Sequence, residues 1–150
     1  MKQTLILLTV LLNAVSAFTT EYYVDASRPN DTGAATGWAT AKKTIQAAVN
    51  LTVNGDTVWV TNGVYDAGGK VTPGYSLTNR VCITNTITVK SVNGAAVTII
   101  KGRAGGSWRY DVDSIRGVFM TNGSHLIGFS VTNGYTLGFP GDPTFEQSGA

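Results

Sequence analysis

The chain has 150 residues, of which 43% are hydrophobic and 13% charged, with a formal net charge of +2. Near-neutrality without any Lys/Arg run argues against a nucleic-acid partner, which needs a basic face. Eighteen glycines, with abundant Asn and Thr, suit a β-protein with many tight turns, and one cysteine, Cys82, excludes an intrachain disulfide framework.

The order of the first residues predicts export. Met1-Lys2-Gln3 supplies a positive start, Thr4 to Leu12 is a short apolar run, and Val15-Ser16-Ala17 places small residues at its exit. This is the pattern of a secretory signal cleaved after Ala17, and its apolar run is too short to span a bilayer. Nothing later in the sequence is long and apolar enough for a second membrane segment. The mature chain is therefore expected to be secreted, periplasmic or at the cell surface, and monomeric, with no membrane span.

Residues 18–55 are expected to form a strand, a loop and a helix. Tyr22-Tyr23-Val24-Asp25 reads as the strand, and the stretch from Arg28 to Gly37, with Pro29, Asn30 and Asp31, reads as the loop. From Lys43 to Leu51, Ile45, Ala48 and Val49 recur at helical spacing, and Lys43, Gln46 and Asn50 fall away from their stripe. Thr40 or Thr44 suits the helix start, and Asn54-Gly55 suits a left-handed stop.

After Gly55 the apolar period becomes two. Val58 and Val60 share one face and Trp59 takes the other. Ile87 with Val89, Val97 with Ile99, Val118 with Met120, and Ile127 with Phe129 and Val131 are each expected to point inward. Cys82, in Val81-Cys82-Ile83, reads as a small buried hydrophobe with no basic neighbour to activate it. Asn-Gly punctuates the strands at residues 54-55, 62-63, 93-94, 122-123 and 133-134. Asn-Gly between short strands suits a hairpin and hence a sandwich. The strands on either side do not mirror each other, however, and Asn62, Asn93 and Asn122 are about thirty residues apart. A repeat of that length predicts an all-β solenoid, a right-handed parallel β-helix over residues 56–150, whose first edge is closed by the short capping α-helix.

Tyr22-Tyr23-Val24-Asp25, Lys43-Thr44-Ile45-Gln46-Ala47-Ala48, Gly55-Asp56-Thr57-Val58-Trp59-Val60 and Gly63-Val64-Tyr65 resemble the N-terminal signature of secreted pectate-lyase-like proteins. The Leu126 to Gly134 stretch resembles a later repeat of that group. Ala41 and Lys42 stand where a proline is common. The resemblance implies an exported protein that binds or eliminatively cleaves an extracellular, acidic polysaccharide. A non-catalytic surface or adhesin-like protein is the alternative. No cofactor is evident in this chain; the resemblance leaves room for an Asp-held Ca²⁺ in the full-length protein, and implies that catalytic residues lie on middle repeats. The sequence reaches Gln147-Ser148-Gly149-Ala150 without a capping pattern, so the chain is expected to be the N-terminal portion of a longer one.

Candidate chemistry is sparse. Trp108, Arg109 and Arg116, with Arg103, gather in a Gly-rich stretch, where an indole face and guanidinium forks suit a sugar ring and its acid group. Trp59, alternating outward, is a stacking platform or packs under a neighbouring loop. Asp111 and Asp113 form the only Asp-x-Asp, too few oxygens for a dedicated Ca²⁺ site, so no metal site is assigned. His125 reads as a turn residue. The sequons at Asn30, Asn50 and Asn122 have meaning only in a eukaryotic secretory route, and Asn50, within the helix, is a poor acceptor.

Overall fold

The computed structural model describes residues 19–106 and 113–136. The expected leader, residues 1–17, and the Gln147–Ala150 stretch both lie outside these residues. The described residues hold ten short strands, in chain order β1 Glu21–Val24, β2 Thr57–Val60, β3 Gly63–Tyr65, β4 Lys70–Val71, β5 Thr78–Ile83, β6 Thr88–Ser91, β7 Thr98–Lys101, β8 Ile115–Met120, β9 His125–Ile127 and β10 Ser130–Thr132. A 3-10 turn occupies Trp38–Thr40 and one α-helix, α1, occupies Ile45–Val49.

The strands form three small sheets, ordered β1-β2-β6-β9, β10-β7-β3 and β4-β5-β8. The first two are parallel throughout, and the third is mixed because β4 pairs antiparallel with β5. The expected right-handed parallel β-helix is therefore corrected: the fold is three small parallel or mixed sheets with one short helix. Two features depart from the expected uniform repeat. Pro73-Gly74 folds residues 70–79 back into a hairpin, with Gly74 at φ +83°. Offsets between paired residues also vary, from 31 between Thr57 and Thr88 to 37 between Thr78 and Ile115, because the intervening loops differ in length.

Alternation along the strands builds the core. Val58 and Val89 stand side by side on adjacent strands, as do Tyr65 and Ile100, and all four are buried. Val24, Val60, Val81 and Ile83 join the same cluster. Polar residues at strand corners are buried only with partners, as their desolvation requires. Ser91 and Thr98 share a hydroxyl–hydroxyl bond of 2.7 Å. Asp56, at the entry to β2, accepts from Thr20 N at 2.8 Å and Val53 N at 2.8 Å. Asn93 Nδ2 donates to Asn62 Oδ1 at 2.7 Å, so the first two of the regularly spaced Asn-Gly turns touch.

The helix is shorter than its apolar stripe suggests. The Asp31 carboxylate accepts from Lys43 N at 2.7 Å, Thr44 N at 2.8 Å and Thr44 Oγ1 at 2.9 Å. These contacts hold Thr44 in extended backbone, where its hydroxyl accepts from Ala47 N. Ile45, Ala48 and Val49 enter the common core, and α1 packs against β1, β2 and β5. Gln46, expected on the solvent side, is buried because its carboxamide bonds the backbone of β5 at Cys82.

Two inward faces are also corrected. On β7 the buried residues are Thr98 and Ile100, while Val97 is 43% exposed. The Ser91 hydroxyl lets threonine take the inward position that Val97 and Ile99 were expected to hold. In β9 it is Leu126 that packs on the core, and Ile127 is 46% exposed. Gly128, at φ +79°, turns the chain there, so that Phe129 again packs on the core. Val131 stands beside Ile100 but is partly exposed, because β10 is the last strand of its sheet. Val118 and Met120 pack on the core. Among the described residues, no helix is long and apolar enough to cross a membrane.

Candidate functional site

The outer face of the four-stranded sheet carries two rows of side chains set by the register. One row runs Glu21, Thr57, Thr88, His125, and the other Tyr23, Trp59, Lys90, Ile127. Neighbours along a row are one strand apart, about 4.8 Å. Trp59 faces outward because Val58 and Val60 on either side are drawn into the core.

Contacts between the rows orient the indole. Trp59 Nε1 donates to Glu21 Oε1 at 3.1 Å, and the Tyr23 hydroxyl donates to Glu21 Oε2 at 2.9 Å. The bond from Trp59, then that from Tyr23, holds the Glu21 carboxyl below its ordinary pKa. The same carboxylate raises the Tyr23 hydroxyl above its ordinary value. The Lys90 ammonium lies 5.1 Å from the centre of the Trp59 ring, in cation–π range. Tyr23 meets Trp38 edge to face, with centroids 4.7 Å apart and an interplanar angle of 75°. The Tyr23–Trp38 aromatic pair and the Trp59 indole thus share one face with a carboxylate, an ammonium, two threonine hydroxyls and an exposed imidazole. Such a surface offers ring stacking, hydrogen bonds and a positive charge at Lys90.

The Gly-rich cluster is only partly described. Trp108, Arg109 and Asp111 lie outside the described residues. Asp113 is exposed, and its backbone carbonyl accepts from Arg103 Nη2 at 3.1 Å. Arg116 lies on β8, on a different sheet from Trp59. With Thr72, Tyr75, Asn79, Val118, Phe119 and Met120 it lines a cleft of about 350 Å³. Burial depresses the Arg116 guanidinium's pKa from its ordinary value. Among the described residues, no group of three or more His, Cys, Asp or Glu is placed to hold a metal ion. Cys82 is buried, and burial raises its thiol pKa above the ordinary value.

Of the described residues offered from sequence as sugar contacts, Trp59 lies on the aromatic face and Arg116 does not; His125, expected in a turn, opens β9 and stands on the same face. Glu21, Tyr23, Trp38 and Lys90 are additions from the fold. Their signal was the strand-to-strand offset, which brings residues 23, 59 and 90 into one row, and the unequal loops concealed it. Compared with known protein families, curated proteins and solved structures, the chain matches none.

Proposed function

We propose that this chain is an exported protein of the pectate-lyase-like group that binds an extracellular polysaccharide through the outer face of its four-stranded sheet. The carrying observation is the in-register row Tyr23–Trp59–Lys90, with Trp59 oriented by Glu21. An oriented indole on a sheet is a rigid apolar platform for the C–H face of a pyranose ring, and the flanking hydroxyls and charges suit the sugar's polar edge. The secretory pattern of residues 1–17 and the signature from Tyr22 to Tyr65 favour the same reading.

Affinity electrophoresis of the full chain through gels carrying pectate, alginate, chondroitin, xylan or β-glucan tests it. At least one polymer is expected to retard the protein, and Trp59→Ala should remove the retardation while leaving the circular dichroism unchanged. No retardation by any polymer would refute the reading. An absorbance assay for unsaturated uronate products, with and without Ca²⁺, separates binding from eliminative cleavage.

A further inference from the structure

We propose that the cleft at Arg116 is a binding site for a small carboxylate with an apolar body, such as an arylacetate or a medium-chain acid. The inference goes beyond the polysaccharide reading and lies on a different sheet from Trp59. The cleft holds about 350 Å³, within the range of small-molecule sites. Its polar end is set by Arg116, whose guanidinium stays protonated even where burial lowers its pKa. Partial burial also thins the water around that charge, so its attraction for a carboxylate exceeds that of an exposed arginine. The remainder of the β8 wall is apolar. Val118, Phe119 and Met120 line it, about 7–13 Å beyond Arg116 at about 3.3 Å per residue. That span matches a carboxylate carrying a phenyl ring or a short alkyl chain.

The β4–β5 hairpin holds the rest of the wall in place. Thr72 and Asn79 are buried, and Asn79 Nδ2 donates to Thr72 Oγ1 across the hairpin. Tyr75 N donates to Thr72 O at 3.0 Å, which fixes the turn on which Tyr75 stands. Tyr75 is 54% exposed and close enough to Arg116 to act on its charge. Its phenol therefore lies at the mouth of the cleft, where it can donate to a carboxylate held by Arg116. A uronic acid fits this wall poorly, because its hydroxyls would lose water against Val118, Phe119 and Met120 without gaining partners.

Isothermal titration of the full chain tests this, with phenylacetate and hexanoate, their neutral amides, acetate and galacturonate as probes. Both acids are expected to bind with Kd on the order of 0.1 mM, the reach of a ligand with about ten heavy atoms. The amides, acetate and galacturonate should each bind about tenfold more weakly or worse, the amides for want of charge and the other two for want of apolar contact. Arg116→Gln should bring the acids down to the level of the amides. Phe119→Ala should weaken phenylacetate about threefold to tenfold, the scale of one lost apolar contact, with circular dichroism unchanged in both variants. If Arg116→Gln fails to fold, the wild-type contrast between acid and amide decides alone. No binding of either acid, amides bound as tightly as the acids, or galacturonate bound as tightly as phenylacetate would each overturn the proposal.

Discussion

The Gln46 carboxamide satisfies both backbone groups of Cys82: Cys82 N donates to Gln46 Oε1 at 2.7 Å, and Gln46 Nε2 donates to Cys82 O at 3.3 Å. β4 pairs with β5 only at Thr78 and Asn79, so beyond that point the edge of β5 lies open towards α1. A side-chain amide has the same donor and acceptor as a peptide, and here it stands in for the missing strand. Replacing Gln46 with Leu keeps the bulk but leaves two buried backbone groups unpaired. Gln46→Leu is expected to lower stability by about 2–4 kcal/mol, measured by urea unfolding. A loss below 0.5 kcal/mol, on the order of a neutral surface change, would show that the pairing carries no weight.

The helix also anchors the core through Ile45, which is 2% exposed. Ile45→Ala should cost about 3 kcal/mol through lost transfer energy and the cavity left behind. Ile45→Asp adds an unpaired buried charge, so it should expose the sheet edges beneath the helix and promote association. Size-exclusion chromatography with light scattering reads this directly, and unchanged monomeric behaviour would count against the covering role of α1.

Glycines offer a contrast between steric and conformational cost. A Cβ at Gly102 would lie 2.4 Å from Asn133 O and 2.5 Å from Ile115 O, both backbone atoms that cannot rotate away. At Gly94, φ is +88° and nothing lies within 4 Å of the added atom. Gly102→Ala should cost about 3 kcal/mol or more, and Gly94→Ala about 1–2 kcal/mol from left-handed strain alone. Thermal melts of the two variants should rank them in that order.

The orientation of Trp59 should depend on the ionisation of Glu21. Because the Glu21 carboxyl is held below its ordinary pKa, its stabilising bonds are fully present above that ordinary value. They are lost as pH falls through the depressed one. Tryptophan emission is therefore expected to shift in that acid window, below the usual glutamate range. Glu21→Gln should abolish this component without unfolding the chain. A transition that persists in the variant would assign it to another group.

Local order was legible where one residue parity is apolar and the other is not. In Thr57-Val58-Trp59-Val60 the two valines can only face the core, so both the strand and the outward tryptophan follow from the sequence. Thr98-Ile99-Ile100 offers no such contrast, and its phase was decided by a hydroxyl partner seven residues away at Ser91. The same holds for Gln46, polar by composition and buried by virtue of one backbone position 36 residues downstream.

The candidate site divides along the same line. Composition, the alternation of the strands and the stripe Ile45, Ala48, Val49 determined a β-rich chain with one short helix, because these are local consequences of side-chain size and polarity. The antiparallel β4–β5 pair, the three-sheet arrangement and the row Tyr23–Trp59–Lys90 were decided only by tertiary structure. Their physical reason is register. Backbone hydrogen bonds pair strands across loops of unequal length, and no local pattern records which residue will stand beside which.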